Sequence, residues 1–291
     1  MQDYFDIFTE AFGDYAQYLI GDILEPSWRS YFYALLALSA VVYLAELVLP
    51  WRRNQARIRR DFWLDGFYMF FNFFLFSLLG YEAIATVVAH GIQDLRSALG
   101  LGSDALIDVG AWPVLAQLAL LLVVRDFLHY WIHRLLHRVP ALWEFHKVHH
   151  SVREMGFAAH LRYHWMETVV YRSLEFLPLA LIGFGVTEFF AVHLFALTVG
   201  HLNHANLRLP LGPLRYLLNS PQMHLWHHAR MIPTRTGINF GLTLSVWDWV
   251  FGTAHWPDDD ADRELGFEGV ETFPSGFVGQ LWRPFRVLFQ R

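Results

Sequence analysis

The sequence predicts an all-α protein. It would have polytopic membrane helices, about four to five spans or hairpin arms, capped on the cytoplasmic side by a helical, histidine-rich segment. Three observations lead there. Of 291 residues, 55% are hydrophobic and 17% charged, and mean hydropathy is +0.27, whereas soluble domains carry about 25% charged residues. The apolar residues fall in uninterrupted runs of helix length. The 16 histidines are clustered at helical spacing.

Each element follows in turn. The N-terminus opens with Asp3, Asp6, Glu10, Asp14, Asp22 and Glu25, so a cleavable signal peptide is not expected. Tyr31 to Leu49 is the first run, long enough for a bilayer core of about 30 Å. It ends at Pro50-Trp51 and meets Arg52, Arg53, Arg57, Arg59 and Arg60, which the positive-inside rule assigns to the cytoplasm. Residues 62–89 are either one tilted helix or a tight re-entrant hairpin. Residues 90–111 read as a Gly-rich outer loop. Its Gly100–Ala105 stretch imitates a dinucleotide fingerprint but follows no strand. A third run begins near Trp112, stays apolar to Val124 and continues to Arg138, projecting past the membrane. Residues 139–164 are polar, and 165–200 read as a membrane hairpin around Gly183-Phe184-Gly185. The implied organisation is membrane helices over 1–125, a catalytic region over 126–255 containing that hairpin, and a soluble tail over 256–291. The tail includes an amphipathic stretch near Leu281–Phe289.

Composition excludes some functions. Without cysteine there is no disulfide, no cysteine-ligated iron–sulfur cluster and no thiol nucleophile. A net charge of -5 with arginines placed for topology does not suit nucleic-acid binding.

The histidines carry the chemistry. His129, His133 and His137 lie in HYWIHRLLH, His146, His149 and His150 in HKVHH, and His224, His227 and His228 in HLWHH. His160, His164, His201 and His204 lie between them. Residues three or four apart share a helix face, so His133 and His137 can address one ion. In HxxHH two imidazoles can chelate one ion while the third reaches a neighbour. Neutral imidazole suits Fe, Zn, Cu or Ni. No Glu-x-x-His pair accompanies the clusters, which argues against a carboxylate-bridged di-iron bundle. His90, His193 and His255 stand alone and read as packing residues, and the roles of His129, His160 and His201 stay open.

At these residues the chain resembles the membrane fatty acid hydroxylase / sterol desaturase superfamily, from about Asp126 to Thr253. The resemblance lies in Asp126 through His137, Leu142-Trp143, His146 through Ser151, and Arg162-Tyr-His164 with Glu167 (Trp165 stands where proline is usual). It continues in Asn203 through Asn206, Ser220 through His228, Asn239-Phe-Gly241, Trp247-Asp248 and Phe251-Gly-Thr253. It implies two iron ions on His133, His137, His146, His149, His150, His224, His227 and His228, with His164 and His204 added, and O₂ as co-substrate. It further implies an oxidoreductase acting on a membrane lipid, sterol or fatty acyl, by hydroxylation or desaturation, with the site on the cytoplasmic face. Asp126, Glu167, Asn203 and Asp248 are the expected outer residues, with Glu144 and Asn239 also considered, fixing imidazole tautomers. Electrons would come from an external donor, a reductase with ferredoxin or a cytochrome b5-like carrier, because the chain has no cysteine cluster and no credible dinucleotide motif. Two other readings are a zinc-dependent membrane hydrolase and a His-rich metal transporter. The first needs no O₂, and the second would place its ligands within the spans.

Overall fold

A computed structural model describes the chain except residues 1–2, 28–29, 73–81, 101–106, 108, 183, 185, 235–236, 257–260 and 291. The described residues form helices and loops. Their extended pairings are isolated bridges, Leu218 with Leu244 and Ala229 with Leu265.

An unforeseen helix, α1 (Tyr4–Leu24), opens the chain, capped by Asp3. Its acidic residues hid the pattern. It packs along α4 (Glu82–Ala98), where the Tyr4 hydroxyl donates to Asp94 at 2.9 Å. α4 therefore extends into the stretch expected to be a loop. α2 (Tyr31–Val48) starts at the Ser30 cap, and α3 (Phe62–Phe70) follows the basic loop. The choice between one helix and a hairpin over 62–89 turns on residues 73–81, outside the described set, as does most of the Gly100–Ala105 stretch.

α2 and α5 (Val114–Arg138) are long and apolar enough to cross a membrane, and only 17% and 28% of their apolar windows are buried within the protein. A core helix of a soluble protein would be mostly covered. These faces are apolar and turned outward, as lipid-facing helices are.

The basic loop has a second use besides topology. Arg52 donates to Gln55 Oε1 at 2.7 Å and to the Met155 carbonyl at 2.6 Å, and burial lowers its pKa to about 10. Arg59 pairs with Asp65, which also receives Arg162 at 3.2 Å. All three side chains are buried. This ion network ties the loop to the segment 157–164 that leads into the histidine region. Breaking one member would strand a buried charge.

The turn from α5 to α6 (Pro140–His150) is dictated locally. Val139 precedes proline and takes an extended conformation, φ -90°, ψ 114°, while Pro140 opens the next helix at its first turn. The chain folds back, so the ends of α5 and α6 face each other. α7 (Trp165–Ile182) and α8 (Val186–His204) form the two expected arms, with α8 running four residues past the expected 200. α9 (Pro221–His227) begins at Ser220, whose hydroxyl accepts from Met223 N. α10 (Val246–Val250) follows, and α11 (Phe277–Phe289) ends the fold.

The loop between α9 and α10 is pinned by two buried carboxylates. Asp126 accepts from Thr243 N and Leu244 N, each at 3.1 Å, and from Trp247 Nε1 at 3.0 Å. Asp248 accepts from Phe240 N and Gly241 N, each at 2.8 Å, and from the Thr253 hydroxyl at 2.7 Å. Position 241 has no room for a side chain, since a Cβ would strike the Leu244 carbonyl and Asp248. Asn239 takes the left-handed conformation, φ 53°, and its amide donates to the Met223 and His255 carbonyls. The loop thereby lies across α9 and the end of α5.

Candidate metal centre

Four helices converge on two adjoining groups of imidazoles. The first holds His133 and His137 of α5, His146 and His150 of α6, and His227 of α9. The second holds His149 of α6, His204 at the end of α8, and His224 and His228 at α9. Within each group, one ring nitrogen per residue lies within 4.8 Å of all the others. Eight of these histidines are buried, and His137 is half-buried. The groups touch: the rings of His150 and His228 stack with centroids 4.4 Å apart.

Helical periodicity deals out the ligands. On α6, His146 and His150 are four apart and go to the first group, while His149 goes to the second. On α9 the division is reversed: His224 and His228 go to the second group and His227 to the first. Each HxxHH segment therefore serves both groups, as the sequence led us to expect.

Backbone carbonyls set the tautomers. His133 Nδ1 donates to Phe240 O at 2.7 Å, His227 Nδ1 to Ile238 O at 2.8 Å, His149 Nδ1 to Arg162 O at 3.0 Å and His204 Nδ1 to Gly200 O at 2.7 Å. A carbonyl only accepts, so each Nδ1 carries the proton and each Nε2 keeps its lone pair. His146 Nδ1 does the same toward Glu167 Oε2, at 2.7 Å. Glu167 is held in turn by local geometry: it is the third residue of α7, and its Oε1 accepts from His164 N at 3.2 Å, half of a capping box.

A cation fits this donor set. His137 Nε2, His150 Nε2 and His227 Nε2 in the first group are buried without a hydrogen-bond partner. Each would cost about 1–3 kcal/mol left unsatisfied. Imidazole nitrogens bound at about 2.1 Å to one ion sit about 3.0–3.4 Å apart at right-angled to tetrahedral separations. The Nε2 pairs His133–His146, His149–His204, His204–His224 and His224–His228 lie at 3.2, 3.3, 2.9 and 3.2 Å. Burial pushes the pKa of His149 down to about 3 and of His227 to about 4, so both are neutral, the ligating form, at pH 7.

The expected outer residues divide. Glu167 touches a group member directly. Asp248 acts at one remove, through the Phe240 loop whose carbonyl holds His133. Asp126 also braces that loop, and Asn203 donates to Leu242 O; neither touches an imidazole of the groups. Glu144 instead receives Lys147 and Arg283, both at 2.6 Å. Among the expected ligands, His204 joins the second group, but the structure does not bring His164 into either. His164 Nε2 donates to Leu281 O at 3.0 Å, and its Nδ1 accepts from Met166 N at 3.1 Å, so both nitrogens are engaged elsewhere. His129 meets Glu175 at 3.3 Å and stacks on Tyr171. His160 and His201 face each other at 2.9 Å, and His201 reaches Ser39 at 3.1 Å. The orienting carbonyls of Phe240, Ile238, Arg162 and Gly200 escaped sequence reasoning, since every residue has a carbonyl.

The comparisons with known proteins agree with this geometry. The fatty acid hydroxylase family model matches residues 118–253, the span that contains both groups. The chain belongs to the fatty acid hydroxylase superfamily. It is 33% identical over 174 residues to an ornithine lipid hydroxylase of Rhizobium tropici, covering 60% of this chain and 52% of that protein. It is 38% identical over 132 residues to the alkylglycerol monooxygenase of Homo sapiens, covering 44% and 28%. With a very-long-chain aldehyde decarbonylase of Oryza sativa it shares 27% over 221 residues, covering 72% and 31%. The chain thus spans about half, or less, of these relatives' lengths. No solved structure matches it.

Proposed function

We propose that this protein is an O₂-dependent, membrane-embedded lipid hydroxylase that carries two iron ions, one in each imidazole group. The observation behind this reading is the pair of adjoining all-imidazole groups, in which His133, His146, His149, His204 and His227 have their Nδ1 protons held by carbonyls and Glu167 and each Nε2 keeps its lone pair. A structural zinc site is closed at four ligands and often uses thiolate; two contiguous imidazole groups with no thiolate suit paired redox chemistry better. The names of the relatives, hydroxylase and monooxygenase, favour hydroxylation over desaturation as the outcome.

When bound, the metal pair supplies the reduction of O₂ and the attack on an unactivated C–H bond that side chains cannot perform. The overall balance is R–H, O₂, two electrons and two protons giving R–OH and water. The chain's own residues hold and exclude. His133, His137, His146, His150 and His227 would bind one ion, and His149, His204, His224 and His228 the other. Phe240, Ile238, Arg162 and Gly200 fix ring orientation through their carbonyls, and Glu167 holds the proton on His146 Nδ1. The Asp248- and Asp126-braced loop covers α9 and keeps water from the rings. The outward apolar faces of α2 and α5 place the substrate in the bilayer, with the metal pair at the cytoplasmic end of α5. The two electrons come from a separate donor, a reductase with ferredoxin or a cytochrome b5-like carrier, docking on that side.

The test pairs metal analysis of the purified protein with lipid mass spectrometry of cells that express or lack it. Two irons per chain, and a lipid heavier by one oxygen only in aerobic expressing cells, is the expected result. Activity that persists without O₂, or that follows zinc content, overturns it.

A further inference from the structure

We propose that α11 is a membrane-surface helix that rests in the headgroup–acyl boundary beside the metal centre. This builds on the membrane setting of the proposed reaction. Val278, Trp282 and Phe289 recur at spacings of four and seven and so share one face of the helix. They are 65%, 54% and 87% exposed. An exposed face with so much apolar area asks for a partner.

Continuity identifies it as lipid. Phe277 of α11 packs against Phe67 and Phe71 at the end of α3, with ring centroids 4.8 and 4.7 Å apart. α3 itself turns Trp63, Phe67 and Phe70 outward, and its sequence runs on into the apolar stretch 62–89. The exposed aromatic faces of the two helices therefore form one surface at a membrane segment. Charge points the same way. α11 contains Arg283 and Arg286 and no acidic residue, with Arg286 exposed beside the stripe. An aromatic-apolar face bordered by arginine is the pattern of helices that lie in the plane of anionic membranes, and tryptophan favours that depth.

Other groups of α11 are clamped to the catalytic region, Phe285 at the border of the exposed stripe among them. Gln280 receives the Tyr68 hydroxyl at 2.9 Å, Leu281 O receives His164 Nε2 at 3.0 Å, and Arg283 donates to Glu144 of α6 at 2.6 Å. Phe285 packs on Phe145 and His164. Phe145 adjoins His146 in sequence, so the helix joins the bilayer surface to the element that supplies three imidazoles. The stretch expected to belong to a soluble tail then becomes part of the membrane contact.

The cysteine-free sequence makes the test direct, because any introduced cysteine is the sole thiol. An environment-sensitive fluorophore is attached to Val278→Cys, Phe289→Cys, Leu44→Cys on the outward face of α2, and Glu268→Cys as a water-facing reference. Each full-length protein is reconstituted in vesicles containing anionic and brominated lipids. Positions 278 and 289 should be quenched by the brominated lipid as position 44 is, while 268 is not. Water-like emission at 278 and 289 with quenching at 44 overturns the inference alone. Water-like emission at all of them overturns the membrane setting and the inference with it. Emission that is shielded at 278 and 289 but insensitive to brominated lipid shows protein covering the face and also overturns the inference. A Trp282→Asp, Phe289→Asp double variant should keep its metal content and lose turnover of vesicle-embedded lipid.

Discussion

The two imidazole groups are built from the same segments but not alike. The first has five members, two from α5, two from α6 and one from α9; the second has four, one from α6, one from α8 and the pair on α9. The first is the more heavily braced: a carboxylate, Glu167, holds His146, and the Asp248 loop holds His133. The second relies on carbonyls alone, those of Arg162 and Gly200. With two ions as proposed, one fewer imidazole would leave the second more open coordination, and with no carboxylate bonded to its rings among the described residues those rings would be less electron-rich. The comparison teaches a division of labour in which the second group is the better suited to meet small ligands and the first to anchor its ion.

The largest effects should come from single ligands. His227→Ala should remove the first ion and His228→Ala the second, each leaving about one iron per chain and activity below detection while membrane insertion is unchanged. Metal analysis with mass spectrometry of the lipid checks this. Loss of both ions from either variant would mean that the groups act as one site and would break the comparison.

Glu167→Gln is the sharper probe. An amide can still accept from His146 Nδ1 but carries no charge, so metal affinity should fall about 10–100-fold, the usual cost of an outer partner. The loss should be confined to the first ion. Among the described residues no carboxylate plays the equivalent part for the second group, so an equal loss from both ions would contradict the asymmetry.

Much of this was legible in the sequence, and the rest failed for physical reasons. The HxxxH and HxxHH spacings specify shared helix faces, so both groups and the splitting of each HxxHH segment could be anticipated. His204 and His164 looked alike as isolated histidines beside the clusters. Their fates differ because α8 continues to residue 204 and carries that ring inward, whereas His164 caps α7 and turns to α11. Asp126, Asn203 and Asp248 were expected to fix imidazole tautomers, but Asp126 and Asn203 bond loop groups 39 to 121 residues away and Asp248 bonds Phe240 N, Gly241 N and Thr253 within its own loop, and such closures leave no helical periodicity. α1 was missed because its acidic residues interrupt the apolar pattern.

The pH dependence of the metal-free protein should show a smaller effect. His149 and His227 ordinarily titrate near 6.5, and burial brings them to about 3 and about 4. Between those values the unfolded chain binds protons that the folded chain refuses, so stability is greatest above 6.5 and declines as pH falls toward 3–4. Thermal unfolding of the apo protein from pH 7.5 to 4.5 should show Tm decreasing steadily below about 6.5. His149→Gln and His227→Gln should each give a shallower slope than the wild type, since each lacks one ring that burial keeps neutral. A wild-type slope in either variant would show that its ring is not held neutral by burial.

The smallest effect on the metals is expected from His164→Ala. Both its ring nitrogens are engaged outside the groups, one with Leu281 O and one with Met166 N. The variant should keep two irons and a wild-type metal affinity, in contrast to the ligand variants. What it should lose is the tie between α7 and α11, a buried hydrogen bond worth about 1 kcal/mol, read as a lowered Tm and faster amide exchange over residues 277–289. A ligand role would move metal content instead, so iron stoichiometry in this one variant separates a histidine that builds the centre from one that fastens the helix beside it.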